Sequence, residues 1–262
     1  MPSSLPDPDA FERIVFFTGA GLSAEAGIPT YRGRGGVWAE YDWESYACQR
    51  AFDDAPDRVL RFHDVRREAV ATARPTRGHE IIAAVQAERP TTRVITQNID
   101  GLHQRSGASS IVELHGSLWR VRCACHPAGA WNDELPMPHR CPDCGSWRRP
   151  DIVWFGDTLG VGTLEAAIDA MEQADLLIGI GTSGVVHPAA ELPRIALTRG
   201  AESIEVNPES TPVSSLYGHH MREQASSALA RLWPRHEHTG TRRGRDVERM
   251  PRMPDGRGPE AP

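Results

Sequence analysis

The chain has 262 residues, 39% hydrophobic and 24% charged, with a formal net charge of −6. That is enough apolar material for one large domain, alone or with a small satellite. The acidic balance argues against binding nucleic acid, no apolar run reaches membrane-span length, and the N-terminus lacks signal-peptide character, so a cytoplasmic location is expected.

The first strand signal, the apolar run at 13–17, stops abruptly at Thr18, Gly19, Ala20 and Gly21, and helix-compatible residues follow at 22–26. Strand, glycine turn and helix start are the layout of a nucleotide-binding βα unit. Glycines there let the backbone turn tightly and bring its N–H groups to a pyrophosphate. The acidic residue that ends the second strand of dehydrogenase-type folds is not evident, so a dinucleotide is expected without hydride transfer. From 43 to 85 the pattern is mainly helical and polar, broken at Pro56 and Pro75.

A second strand signal at 93–96 leads into Gln97, Asn98, Ile99, Asp100 and Gly101, and a third at 111–114 ends at His115, Gly116 and Ser117. Residues 121–149 are rich in Cys, Pro and Trp without periodicity, as expected of a small metal-stapled module. A fourth strand signal at 175–180 ends at Gly181, Thr182 and Ser183, and a fifth at 203–206 ends at Asn207 and Pro208. Ligands of open α/β sheets bind outside the carboxyl ends of the strands, so these polar strand ends point to one cleft. From Arg235 to Pro262 the chain is rich in Arg, Gly and Pro without apolar period and reads as a disordered tail.

There is no lysine, so all 29 basic residues are arginine, and there are five cysteines. Four of these, Cys123, Cys125, Cys141 and Cys144, fall within 22 residues (123 to 144) while Cys48 stands apart. In a cytosolic chain such a cluster reads as a metal site rather than as disulfides.

The run from Gly19 through Ala20, Gly21, Leu22, Ser23, Ala24, Glu25, Ala26, Gly27, Ile28, Pro29, Thr30, Tyr31 and Arg32 to Gly33 resembles the sirtuin signature. Further matching segments follow in order: Gln97-Asn98-Ile99-Asp100, His115-Gly116, the cysteine cluster, Val153-Trp154-Phe155-Gly156, Gly181-Thr182-Ser183 and Asn207-Pro208-Glu209. The resemblance spans about 11–233. It implies an α/β fold: a Rossmann-like parallel sheet with helices on both faces, plus a small zinc-binding module and a helical insertion. The large part would comprise about 11–40, 88–120 and 150–232, the insertion about 41–87, the zinc module about 121–149, and the whole domain 11–234.

The resemblance also implies an NAD-dependent protein-lysine deacylase acting on acylated protein substrates. Nicotinamide leaves the ribose as the acyl oxygen attacks C1′, a base activates a ribose hydroxyl, and free lysine, nicotinamide and an O-acyl-ADP-ribose result. His115 suits the base, because an imidazole near its free pKa of ~6.5 accepts a proton at neutral pH. Asn98 and Asp100 match positions that order the nicotinamide ribose, a water and the carboxamide. Gln97 would bond the ribose, Ala20 and Ile99 would line the nicotinamide pocket, and Arg32 would hold a loop near the phosphates beside Gly19 and Gly21. Gly181, Thr182, Ser183 and Asn207 match the adenosine side, and Val153, Trp154 and Phe155 the wall of the acyl-lysine tunnel. Mono-ADP-ribosyl transfer and non-enzymatic NAD sensing are the rival readings, and the presence of His115, Asn98 and Asp100 favours deacylation.

Two places depart from the family pattern. Its metal site has two Cys-x-x-Cys pairs, and here the second, Cys141-Pro142-Asp143-Cys144, is intact while the first reads Cys123-Ala124-Cys125-His126. Either Cys125 or His126 would join the other three as a structural zinc ligand. Sirtuins that remove succinyl or malonyl groups carry a Tyr-x-x-Arg pair and a small alanine. Arg66 and Ala47 match, but His63 stands in the tyrosine position, where it could give one hydrogen bond and, if protonated, add charge. Oligomeric state is left open.

Overall fold

The computed structural model describes residues 5–33 and 35–236. Strands β1 (Ile14–Thr18), β2 (Arg93–Thr96) and β3 (Ile111–Glu113) precede three strands of a smaller sheet, β4 (Gly116–Cys123), β5 (His126–Trp131) and β6 (Arg149–Ile152). Strands β7 (Leu176–Ile180), β8 (Glu202–Val206) and β9 (His219–Met221) complete the large sheet. Its order is β3-β2-β1-β7-β8-β9 with every pair parallel. This is the doubly-wound arrangement, whose direction of growth reverses between β1 and β7.

The helices are α1 (Ala20–Ala24), α2 (Val37–Glu40), α3 (Trp43–Tyr46), α4 (Gln49–Asp54), α5 (Pro56–Thr72), α6 (Arg77–Glu88), α7 (Leu102–Arg105), α8 (Val161–Glu172), α9 (Leu192–Thr198) and α10 (Ala225–Leu232). Ile14 and Phe16 of β1 pack with α6 and α10, while Val15 and Phe17 pack with α8 and α9. Because both faces are covered, the central strands are apolar at consecutive positions, which is why they read as unbroken runs in the sequence. The edge strand β9 is His219, His220 and Met221 and pairs only with β8, so it carries no such run.

The prolines that break the helical stretch start helices instead. Pro56 opens α5, where its missing N–H has no intrahelical partner to lose. Thr76, after Pro75, caps α6 through a reciprocal bond pair with His79. Helix α6 places Ile81, Ile82 and Val85 in the core of the large sheet. It therefore belongs to the large body, and the insertion expected at about 41–87 is shorter. The rest of it packs Ala47, Ala51, Val59 and Val70 against Leu118, Ile152 and Trp154.

The small module is an antiparallel sheet of order β5-β4-β6. It extends beyond the expected 121–149, since β4 begins at Gly116 and β6 ends at Ile152, both next to the cleft. Helix α5 pins it with two buried side chains. Asp64 accepts hydrogen bonds from Met137 N at 3.1 Å and His139 Nε2 at 2.6 Å. Arg67 donates to the carbonyls of Leu118, Asn132 and Glu134 beneath the Trp119 ring. These bonds compensate a fully buried guanidinium that would otherwise be costly.

Arg235 and His236, assigned from the sequence to the tail, are folded: Pro234–His236 form a 3-10 turn and Arg235 pairs with Asp9 and Glu88. Residues 237–262 lie outside the described residues. Among the described residues no helix is long and apolar enough to cross a membrane.

Three buried histidines make the fold sensitive to acid. Burial pushes His103 down to about 4 and His63 to about 3, and drives His79 well below its ordinary value. The unfolded chain takes up these protons below ~6.5 and the fold does not. Stability is thus complete above ~6.5 and falls as pH drops toward 4, at about 1.4 kcal/mol per pH unit for each neutral buried histidine. Asp9 and Asp175, held low by hydrogen bonds from Arg235 and Arg13, lose their contributions only below the usual carboxylate range. Urea midpoints should therefore fall steadily from pH 7 to pH 5. The slope should lessen in His103→Gln, whose amide can still donate to Thr18.

Candidate functional site

The site begins where the loops after β1 and β7 cross at the reversal of strand order. Gly19 N–H donates to Ile180 O and Gly21 N–H to Gly181 O, each at 2.9 Å. A Cβ on Gly21 would lie 2.6 Å from Gly181 Cα, and one on Gly19 would lie 2.7 Å from Gly181 O. Gly181 itself has φ +59°, a left-handed conformation that glycine adopts without cost. Glycine is therefore required at all three positions.

A cavity of about 710 Å³ opens over this crossing. It collects Gly19, Ala20, Gly21, Arg32, Gln97, Asn98, Ile99, His115, Gly181, Thr182, Ser183 and Asn207, the residues the sequence assigned to cofactor and catalysis. Ala47, His63, Arg66, Val153, Trp154 and Phe155, assigned to the acyl substrate, line the same cavity. Asp100 is the exception, being 6% exposed and absent from the lining. It acts from behind: Ser23 Oγ donates to Asp100 Oδ2 at 2.7 Å and accepts from Asn98 Nδ2 at 3.2 Å. Asn98 Nδ2 also donates to Gly19 O at 3.0 Å, so its amide is fixed from two sides. Burial raises the Asp100 carboxyl above its usual range, opposed by bonds from Leu102 N–H and Ser23.

His115 follows β3, with Nδ1 3.0 Å from the carbonyl of Gln97. A carbonyl only accepts, so the proton sits on Nδ1 and Nε2 is left able to accept a proton. Burial lowers the pKa of His115, assisted by the Arg32 charge and opposed by the Gln97 bond, which favours the neutral imidazole at pH 7. Gln97 Nε2 is buried without a partner, a donor waiting for an acceptor from the cavity side. With the crossing glycines, this orphan donor fits a dinucleotide carrying ribose and phosphate oxygens.

At the other end, Trp154 Nε1–H donates to His63 Nε2 at 3.2 Å. His63 is 2% exposed and its pKa lies at about 3, through burial first and then the nearby Arg66 and Arg149. The charged form anticipated for it is therefore excluded at physiological pH. Arg66 Nη2 donates to Tyr31 Oη at 2.9 Å. Phe155 N–H donates to Ala47 O at 2.9 Å and Val153 N–H to His115 O at 3.0 Å, tying the 153–155 segment to the insertion and to the end of β3.

In the small module the ligand atoms of Cys123, Cys125, His126 and Cys141 all lie within 4.8 Å of one another. The Cys123–Cys125 and Cys125–Cys141 sulfur separations are 3.5 and 3.6 Å, and Cys123 Sγ is 3.5 Å from His126 Nδ1. Zinc–sulfur bonds of ~2.3 Å in a tetrahedron give edges of about 3.8 Å, so the donors suit that ion. Cys144 Sγ is 3.0 Å from Ser146 Oγ and outside the mutual group. None of these residues lines the cavity.

The Sir2 family model matches residues 19–188. The chain belongs to the Sir2 family. An Aquifex aeolicus protein named NAD-dependent protein deacylase is 44% identical over 223 residues, 84% of this chain and 93% of that one. A Sir2 homologue mutant solved with ADP-ribose superposes with a TM-score of 0.82 at 38% identity, covering 86% of this chain and 92% of its own. A Sir2 protein solved with a deacetylated p53 peptide and 3′-O-acetyl-ADP-ribose gives 0.77 at 31% identity, covering 87% and 94%.

Sequence reasoning gave no role to Ser23, Tyr31 or Gln224. Ser23 was visible as a polar residue one turn into a helix that should face the core. Gln224 reaches the cavity through the loop after β9, whose polar strand gave no signal. Replacing Ser23 by Ala removes a buried bond to a carboxylate, worth about tenfold to a hundredfold. Ser23→Ala should lower kcat/KM for deacylation by that factor while far-UV circular dichroism stays unchanged.

Proposed function

We propose that this sirtuin is an NAD-dependent protein-lysine deacylase releasing nicotinamide and an O-acyl-ADP-ribose. The observation that carries the reading is His115: an imidazole with Nδ1 committed to Gln97 O and Nε2 free, in the cavity that also holds the glycine crossing. When bound, NAD would supply an electrophilic C1′ to the acyl oxygen of the lysine amide, with nicotinamide as the leaving group. Asn98, locked by Gly19 and Ser23 with Asp100 behind, orients the nicotinamide ribose. Gln97 Nε2 donates to a ribose oxygen, and Arg32 holds the loop over the phosphates. His115 Nε2 takes the proton of the ribose hydroxyl that receives the acyl group. Ser183 and Asn207 hold the adenosine ribose, and Val153, Trp154 and Phe155 hold the acyl-lysine segment. The named deacylase relatives and the peptide-bound neighbour support acylated proteins as substrates. The clustered free cysteines suit a reducing, cytoplasmic setting.

His115→Ala should cut deacylation of an acetyl-lysine peptide by ~10²–10⁴-fold. Nicotinamide release in a single turnover should survive, because the base acts after that bond breaks. The acid limb of wild-type kcat/KM should lie below ~6.5, following the lowered histidine pKa. Loss of nicotinamide release together with deacylation would show that His115 acts earlier.

The small module holds a structural zinc through Cys123, Cys125 and Cys141, with Cys144 or His126 in the fourth position. Metal analysis should find one zinc per chain, and chelation should lower the melting temperature. Retention of the ion in His126→Ala would assign the fourth position to Cys144, and its loss would assign it to His126.

Acetyl-lysine is one substrate, and Arg66, which has no carboxylate partner among the described residues, supports carboxylate-ended acyl groups such as succinyl or malonyl as others. Arg66→Met should remove succinyl-peptide turnover and spare acetyl-peptide turnover.

A further inference from the structure

Arg66 sits against the cavity without an acid among the described residues to neutralise it, and the group that occupies it is a phenol. Its Nη2 donates to Tyr31 Oη at 2.9 Å, and its guanidinium lies 4.8 Å from the Tyr31 ring centroid and 5.7 Å from that of Phe62. All three residues line the cavity. In this bond the tyrosine oxygen accepts, so its own proton is free, and it meets no acceptor among the described residues. His63 offers little in comparison. Its Nε2 is filled by the Trp154 indole N–H, and its Nδ1 faces the Tyr46 carbonyl without reaching hydrogen-bond geometry.

We propose that Tyr31, and not His63, is the hydroxyl partner of Arg66 in recognising the distal carboxylate of a dicarboxylic acyl-lysine. This rests on the carboxylate-accepting reading of Arg66 given above. One carboxylate oxygen takes a guanidinium N–H, and the other takes the Tyr31 O–H that the protein leaves unused. Burial keeps the phenol protonated and able to donate, against the smaller opposing pull of Arg66. Tyr31 lies one residue before Arg32, on a segment (Thr30 to Gly33) that lines the cavity. A carboxylate held by Tyr31 and Arg66 therefore also steadies that segment, and an acetyl group, with no carboxylate, leaves it unchanged. His63 instead fixes the Trp154 indole that walls the tunnel.

The test compares kcat/KM for matched succinyl- and acetyl-lysine peptides at saturating NAD in wild type, Tyr31→Phe, Arg66→Met and the double variant. Phenylalanine keeps the ring and removes only the hydroxyl. Tyr31→Phe should lower succinyl turnover by about tenfold, the worth of a bond to a charged group, and leave acetyl turnover within about twofold. The double variant should be no worse on succinyl peptide than Arg66→Met alone, because the two side chains serve one carboxylate. If Arg66→Met abolishes succinyl turnover but Tyr31→Phe leaves it intact, the hydroxyl role is wrong and the carboxylate reading stands. Equal losses on both peptides would place Tyr31 in cofactor binding alone and overturn the proposal. Absence of succinyl turnover in wild type, or its indifference to Arg66→Met, would overturn the carboxylate reading and this proposal with it.

Discussion

Two loops pass each other at the reversal of strand order with no room for a Cβ between them, and the rest of the site is built outward from that contact. Gly21 and Gly181 are so close that a methyl on either would overlap the other's backbone. The hydrogen bonds of Gly19 and Gly21 to the carbonyls of Ile180 and Gly181 hold the crossing shut. With it fixed, the ends of β1, β2, β3, β7 and β8 open on one side, and His115, Asn98 and Asn207 arrive from three different strands. The cleft is thus a consequence of strand order and of glycine, before any functional side chain is considered.

Polar groups under the cleft form a chain that the catalytic residues share. His103 Nε2 lies 3.0 Å from Thr18 Oγ1, which donates to Thr96 Oγ1, and Thr96 accepts from the Asn98 N–H. Asn98 then meets Ser23 and, through it, Asp100. Buried networks of this kind specify one arrangement, because breaking any of their bonds leaves a costly unpaired group; His103 Nδ1 already lacks a partner among the described residues. Neutral histidines belong to the same economy. His79 and His103 stack edge to face at 4.9 Å, which two charged rings could not do without partners.

The small module is held by different physics. Its outer strand β5 is largely exposed, so it gains little from burial and depends on the Cys-His cluster at one end and on Asp64 and Arg67 of α5 at the other. Since α5 also carries His63 and Arg66, the helix that anchors the module forms one wall of the cavity.

Buried parallel strands announce themselves by unbroken apolar runs, so β1, β2, β7 and β8 were legible, as were the small polar residues that end them; β3, a half-buried edge strand, was legible through Ile111 and Val112 and the polar turn after it. The ordered motifs then supplied the family and named residues that the fold gathers into one cavity. Strands without such runs, β4, β5, β6 and β9, were not legible, because a half-exposed or edge strand needs no continuous apolar face. Sequence proximity also misled: α6 lies next to the insertion in the chain but packs on the large sheet through Ile81, Ile82 and Val85. What the sequence determined by itself was the identity of the chemistry, since a glycine turn, an imidazole and a cysteine cluster are fixed by residue type and order. Only the tertiary structure decided their electrical state and company. Burial and neighbouring charge make His63 neutral, Asp100 reaches Asn98 only through Ser23, and Tyr31 meets Arg66 because contacts between residues 35 positions apart exist only once the chain has folded.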